Sequence, residues 1–382
     1  MNKTQYDMIY LAACGVDGVI PEKEFINEVD IEKLYHLSRT HFVDALVGTA
    51  LKQAGVILPK EWTEHCSKAI RKAILFDTER AKLLAFLEQK GIWYLPLKGI
   101  VLKDYYPAIG TRQMSDNDIL FDSSFSGVVQ AYMESQGYEA VSVGTGVHDS
   151  YKKEPVYNFE LHRALYGGLH QDEWAEYYKN IKDRLILDKD SSYGYHFTDE
   201  DFYVYIMSHA YKHYIGSGTG LRTLLDFYVY LKAKPEMDFA YIEKECEALG
   251  IASFEKKNRS LCKKVFPAVI LKEMTDLQQR LSAEETDMLC YYLSSGVYGT
   301  VERGIENSMK KFGKKPNGIS RLKYLWKRLF PGYETYKYYA GSCKSKAMQS
   351  LIGWFRRLFV VLFTKKRRAD IVREIKIVKK VK

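Results

Sequence analysis

Apolar positions change their spacing along the chain, and the changes predict its elements. Up to about residue 90 they recur at helical intervals: Ala69, Ala73, Phe76, Leu83, Leu84 and Leu87 fall on one stripe, and Gly91 supplies a stop. A short strand is expected from Ile92 to Leu97, ended by Lys98–Gly99. A brief helix from Ile100 to Tyr106 is stopped by Pro107. A polar loop, Ala108 to Ser115, leads to a second strand, Asp116 to Phe121. Ser123 and Ser124 can cap the next helix, which ends near Gly137. Tyr138 to Val143 reads as a third strand and Val156 to His162 as a fourth, with a loop opened by Gly144 and Gly146 between them.

Beyond Gln171 the pattern is helical again. Thr198 and Asp201 resemble a capping box for a helix holding His209 and His213. The Gly-rich stretch Gly216 to Gly220 reads as a connector to a helix through Leu225, Asp226 and Leu231, ended by Pro235. It lacks the GK[ST] ending and the preceding strand of a phosphate loop. The expected fold is α+β: a helical region over 1–90, a small mixed sheet with helices over 91–198, a helical domain over 199–310 and a basic helical tail over 311–382. The sheet block is too short for a dinucleotide-binding domain and has no GxGxxG.

Charge divides the 382-residue chain unevenly. Residues 310–382 hold 22 Lys and Arg against 3 Asp and Glu, a net of +19. The whole chain is +9, so residues 1–309 carry −10. In the segment GWFRRLFVVLFTKKRR, Gly353 to Arg368, the apolar run Leu358 to Phe363 lies between basic clusters. It is too short to span a bilayer. It suits an anionic membrane surface, an RNA or other polyanion, or packing on the body with a solvated basic end. Six cysteines (Cys14, Cys66, Cys246, Cys262, Cys290 and Cys343) show no CxxC pair or zinc-finger spacing. They read as free thiols of a cytoplasmic protein, peripheral at the membrane if the tail binds lipid. The N-terminus has no basic region followed by an apolar stretch.

The chemistry concentrates around Asp116 and Asp118. Residues two apart on a strand face the same way, so both carboxylates share one face ahead of Ile119, Leu120 and Phe121. Two such groups repel, and one is driven toward protonation unless a cation sits between them. Mg2+ or Mn2+ suits hard oxygen ligands of this kind. A third acid is expected on a neighbouring strand. In NFELH, Asn158, Glu160 and His162 alternate with Phe159 and Leu161, which puts Glu160 on a polar face. Three acids around two metals form a clamp for in-line transfer at phosphorus, one metal activating the attacking hydroxyl and the other stabilising the leaving oxygen. His209 and His213, four apart on a helix, have no HExxH and no evident third ligand.

These motifs carry a resemblance. LKGIVLKDYYP followed by RQMSDNDILF resembles the signature of the uncharacterised bacterial nucleotidyltransferase family, a branch of the DNA-polymerase-β-like nucleotidyltransferase superfamily. The matching positions are Lys98, Gly99, Tyr106, Pro107, Arg112, Asp116 and Asp118, then Glu160, Leu161 and His162, then His209 and Asp226 on helices, within residues 70 to 340. Two departures stand out. Asn117 replaces a usually apolar residue, and Lys98–Gly99 stands where the wider superfamily has Gly-Ser.

The resemblance implies a metal-dependent transfer of a nucleoside monophosphate from an NTP to an unknown acceptor, with release of pyrophosphate. Asp116, Asp118 and Glu160 would be the catalytic and metal-binding acids. Lys98 and Arg112 would neutralise the triphosphate, and Gly99 would let the backbone approach it. His162 would orient Glu160 or touch substrate. His209, Arg222 and Asp226 are further candidates, although Asp226 suits equally a buried partner of an Arg or Tyr. The alternative is an inactive nucleotide- or partner-binding module.

Overall fold

A 31-residue helix, Lys60–Lys90, sets the frame of the chain's first half. No glycine or proline interrupts it, and Gly91 ends it with a left-handed φ of 68°. The computed structural model describes every residue except 145, 168–171, 272–273, 314–316, 341–344 and 381–382. It divides into two units, Met1–Tyr211 with Gly220–Val297, and Lys212–Thr219 with Tyr298–Lys382.

In the first unit the helices Lys3–Asp17, Ile31–Thr40 and Asp44–Gln53 precede the long helix. A five-stranded sheet follows: β1 (Tyr94–Pro96), β2 (Asn117–Phe121), β3 (Glu139–Ser142), β4 (His148–Lys153) and β5 (Tyr157–His162). The order is β1-β2-β5-β4-β3. β2 and β5 run parallel, and the other neighbours are antiparallel. Two short strands, Ile186–Leu187 and Tyr195–His196, make a separate ribbon. The helices Asp199–Tyr214, whose last three residues belong to the second unit, Leu221–Ala233, Phe239–Ala248, Ala252–Val265 and Ala283–Ser295 follow. The architecture is the expected α+β class.

Three local expectations change. β4, with the sequence HDSYKK, was not foreseen because it has no apolar run. It is a strand because Asp149 and Tyr151 turn inward while Ser150 and Lys152 turn away. Neither serine caps helix Ser126–Ser135, which has no side-chain cap; Asp122 caps the 3-10 turn Ser123–Phe125 that leads into it, its carboxylate accepting from the Ser124 N–H at 3.1 Å. The helix expected over Ile100 to Tyr106 is a single turn, Gly99–Leu102, followed by a 3-10 turn, Lys103–Tyr105.

The core lies between one face of the sheet and the Lys60–Lys90 and Ser126–Ser135 helices. Ile119 of β2 and Phe159 and Leu161 of β5 meet Phe76, Leu83 and Val129 there. Each such side chain contributes roughly 1.5–3 kcal/mol by leaving water. Asn117 also points to this side, fully buried, and its Oδ1 accepts from Arg80 Nη1 at 3.1 Å. This satisfies the amide that stands where the family pattern has an apolar residue.

The second unit contains the helices Val301–Lys310, Gly318–Leu329, Tyr333–Ala340, Lys346–Phe363 and Lys365–Lys380. A small core of Ile305, Met309, Tyr324, Ile377 and Val378 holds part of it together. Among the described residues no helix is long and apolar enough to cross a membrane. Cys14, Cys66, Cys246 and Cys262 are buried free thiols and Cys290 is a half-buried one. Cys343 lies outside the described residues.

The turn after β1 is tightly built. A Cβ on Gly99 would sit 2.5 Å from Arg112 Nη1. Arg112 cannot retreat, because its Nε and Nη2 donate to the two carboxylate oxygens of Asp226 at 2.7 and 2.9 Å. Gly99→Ala should therefore destabilise the protein by about 1–3 kcal/mol through overpacking. Urea unfolding of Gly99→Ala should show this loss. In an Asp226→Asn background, where the guanidinium is held less firmly, the same substitution should cost less.

Candidate functional site

The acids stand on the sheet face opposite the core, and strand register brings them together. Asp118 pairs directly with Glu160 across the parallel β2–β5 ladder, as Leu120 does with His162. Because Phe159 and Leu161 are committed to the core, Glu160 and His162 must face the other way. Asp116 lies one residue before β2 begins, and the charges of Asp118 and Glu160 act on it. Burial, then Asp118 and then Glu160 raise its carboxyl to about 7.

Asp118 behaves in the opposite way. Burial opposes its charge, but Lys98 and His162 outweigh burial and hold the carboxyl well below its usual range. Lys98 Nζ donates to Asp118 Oδ1 at 2.6 Å, and His162 Nε2 lies 2.9 Å from the same oxygen. Lys98 is itself unusual, with φ 48° and ψ −115°, a conformation that favours glycine. Burial works against its ammonium, yet Asp118, Asp116 and Glu160 raise its pKa. Burial lowers the His162 imidazole, with Asp118 opposing, so the ring is neutral near pH 7. Donation from Nε2 to Asp118 then leaves Nδ1 with a bare lone pair. Nδ1 is buried without a hydrogen-bond partner.

A second group of charges lies nearby. Asp226 accepts from Arg112 through both oxygens and from the Tyr106 hydroxyl at 2.8 Å. Arg112 therefore has a protein partner on two of its three nitrogens, and Asp226 serves both an arginine and a tyrosine. Arg222 Nη1 donates to the Gln113 carbonyl at 2.9 Å. Burial and then the like charge of Arg112 lower its pKa, with Asp226 opposing. His209 is next to Tyr205 on its helix, ring centroids 6.3 Å apart, and His213 belongs to the second unit.

Three residues were not singled out from the sequence. His148 faces His162 across the β4–β5 ladder, with ring centroids 5.1 Å apart, and its Nε2 is 3.8 Å from Glu160 Oε2. The alternation of His148, Ser150 and Lys152 with Asp149 and Tyr151 was the available signal. Tyr205 is buried near the acids, its phenol pushed far up by burial and then by Asp118. Lys72 reaches the Ser115 carbonyl at 3.5 Å and feels Asp116. No sequence motif marks it.

The donor set fits a divalent cation. Three mutually repelling carboxylates, one of them lifted to about 7, are what bound metal would relieve. His148, Glu160 and His162 also place ligand atoms within 4.8 Å of one another. Carboxylates suit Mg2+ and Mn2+, and adjoining imidazole nitrogens shift the preference between these two toward Mn2+.

No functionally curated protein matches the chain. The crystal structure of an antigenic nucleotidyltransferase-like protein from Paracoccidioides brasiliensis is similar at 15% identity and a TM-score of 0.33, covering 51% of this chain and 92% of that one. A likeness of that extent says nothing about this chain's chemistry. The family model described as "Uncharacterised nucleotidyltransferase" matches residues 27–267, a stretch that holds β1 to β5, all three acids and Asp226, and the chain belongs to that family.

Proposed function

We propose that the protein transfers a nucleoside monophosphate from an NTP to an acceptor hydroxyl or phosphate. An acceptor oxygen bonds to the α-phosphorus as the bridge to the β-phosphate breaks, and pyrophosphate leaves. The observation that carries this reading is the Asp118–Glu160 cross-strand pair, with Asp116 close enough to be lifted to about 7. Asp116, Asp118 and Glu160 would hold Mg2+ or Mn2+. Such an ion neutralises phosphate charge and lowers the pKa of an attacking hydroxyl.

The chain's own groups have separate tasks in this reading. Lys98 keeps Asp118 ionised before substrate arrives and offers its ammonium to a phosphate. Arg112, locked by Asp226, which Tyr106 holds in turn, fixes the turn at Gly99. Glu160 completes the metal set or takes the acceptor proton. His162 orients the acids. A module that only bound nucleotide would gain nothing from clustered carboxylates that repel a triphosphate, which disfavours the inactive alternative. We place the family among the polymerase-β-like transferases on the same grounds, and the buried free thiols suit a reducing cytoplasm.

The tail supports a further part of the reading. Leu322, Trp326 and Leu329 lie on one face of helix Gly318–Leu329, and Leu351, Phe355 and Phe359 on one face of helix Lys346–Phe363, all 48–70% exposed. The two helices adjoin, since Trp354 Nε1 donates to the Leu329 carbonyl at 3.3 Å. An exposed aromatic surface within a segment of net +19 suits the interface of an anionic bilayer.

With Mg2+ or Mn2+, the wild type should release pyrophosphate from at least one of the four NTPs across an acceptor panel. Asp118→Asn should lower the rate at least about 10³-fold. Identical behaviour of wild type and Asp116→Asn/Asp118→Asn would favour the inactive module. Stability gives an independent check. The folded pKa of Asp116 lies above its unfolded value, so its contribution falls as pH rises from about 4 to about 7. Metal-free Asp116→Asn should melt about 2–4 °C above wild type at pH 8 and no higher at pH 4. For the tail, the full chain should float with phosphatidylserine vesicles but not with phosphatidylcholine vesicles. Phe355→Ser/Phe359→Ser should weaken flotation. Binding to RNA with no vesicle binding would assign the tail to nucleic acid instead.

A further inference from the structure

A cavity of about 970 Å³ in the first unit has no part in the reading above. Its walls come from helix Ile31–Thr40 and the residue after next, Phe42, from the first half of helix Lys60–Lys90, and from the chain just before β2 and β5. Lys68, Arg71 and Lys72 line it from positions i, i+3 and i+4 of one helix, so they share a face. Among the described residues, no carboxylate lies within ion-pair distance of these three. Arg39, also on the wall, is paired with Glu61 at 3.2 Å.

Charge statistics make that cluster unusual. Residues 1–309 carry −10, so a basic helix face there has many acids available as partners. Two other cations of the same helix find them: Arg80 pairs with Asp77 and Lys82 with Glu79. At residues 68–72 three cations gather without one. Lys68 and Arg71 are exposed, while Lys72 is half-buried with its ammonium 4.8 Å from the Phe76 ring centroid. Burial, opposed by Asp116, lowers the pKa of Lys72.

The rest of the lining is partly apolar. Phe42, Leu75, Met114 and Val156 contribute to it. Phe42 has φ 55°, a strained value for a residue with a side chain, and Arg222 lies over its ring at 5.4 Å. Arg222 also grips the Gln113 carbonyl, so the cavity wall and the chain leading to Asp116 are tied together. Gln113 and Met114 line the cavity only three and two residues before Asp116. The volume falls within the range of small-molecule sites, roughly 300–1,000 Å³. A lining that combines cations with apolar side chains matches a phosphate ester with a flat or apolar organic part.

We propose that this cavity binds a phosphate-bearing substrate of the transfer reaction, its phosphate on Lys68, Arg71 and Lys72, its organic part against Phe42 and Met114, and its reacting end toward Asp116. The assignment rests on the transferase reading, which gives the edge at Asp116 its meaning. The phosphate belongs either to the NTP or to a phosphorylated acceptor, and the two sources are separable.

The test uses the full chain and inorganic tripolyphosphate as probe, followed by calorimetry. Wild type should bind it with an affinity that falls as salt rises. Lys68→Ala/Arg71→Ala, at exposed positions and with an unchanged melting temperature, should bind at least tenfold more weakly. Lys68→Arg/Arg71→Lys should retain binding. The same variants are then titrated with an α,β-methylene NTP analogue and Mg2+. A parallel tenfold loss assigns the phosphate to the NTP. Unchanged analogue affinity with lost tripolyphosphate affinity assigns it to the acceptor. Equal tripolyphosphate binding by wild type and Lys68→Ala/Arg71→Ala, or no binding by either, overturns the proposal. If binding at the cavity follows expectation but no transfer occurs with any NTP, the transferase reading alone falls.

Discussion

The register of β2 against β5 is the constraint from which the rest follows. Ile119, Phe159 and Leu161 must face the long helix to build the core, and alternation then sends Asp118, Glu160 and His162 to the other face. A slip of one residue would place Asp118 or Glu160 in a dry apolar layer and expose the core residues. Burying an unpaired carboxylate costs several kcal/mol, comparable to the burial gained by two or three core side chains. Packing thus selects the register that gathers the acids, and the gathering itself costs nothing further in backbone order. The cost appears as electrostatic strain among the carboxylates, visible in the lifted Asp116.

That strain is partly relieved from within the chain. Lys98 and His162 both serve a single oxygen of Asp118, so one carboxylate is firmly ionised while its neighbour is lifted toward neutrality. The two environments differ although the residues are two apart. Lys98 reaches this position through a backbone conformation that costs about 1–3 kcal/mol for a residue with a side chain. Around it the turn is overdetermined: Gly99 leaves room for Arg112, Arg112 is fixed by Asp226, and Asp226 is fixed again by Tyr106. A buried, fully paired network of this kind holds a strained turn without needing the substrate to do so.

Much of this was legible in the sequence, but unevenly. The apolar face of β5 was plain in NFELH, and β2 was plain in the run after Asp118, so period-2 alternation put Asp118 and Glu160 on polar faces, while their direct pairing is a matter of strand register that alternation does not give. β4 was hidden because its inward residues are Asp149 and Tyr151, and a strand that buries an aspartate gives no hydrophobic signal. His148 was lost with it. Arg112 and Asp226 are 114 residues apart, and nothing in spacing tells an arginine that grips phosphate from one that grips a distant carboxylate. Gly99 had two sufficient reasons, a close phosphate or a close guanidinium, and only coordinates show that the second already excludes a side chain. The cations at residues 68–72 carried no signal either. On a sequence they are an ordinary polar helix face, and their meaning depends on which acids fail to reach them.

The partition of charge bears on how a polyanion reaches such a site. Residues 1–309 carry −10, so their summed field repels a nucleoside triphosphate at long range. At physiological salt that repulsion fades beyond about 8 Å, and local arrangement decides the encounter. The cations that matter are therefore those close to the acids: Lys98 against Asp118, Arg222 beside Arg112, and Lys72 within reach of Asp116. Lys98 and Arg112 are already engaged with carboxylates, so much of their charge is spent before any ligand arrives. Lys72, with Lys68 and Arg71 on the same helix face, is in no ion pair among the described residues. An acidic body that gathers three carboxylates at one point needs such a reserve close at hand, since the carboxylates alone would turn a phosphate away.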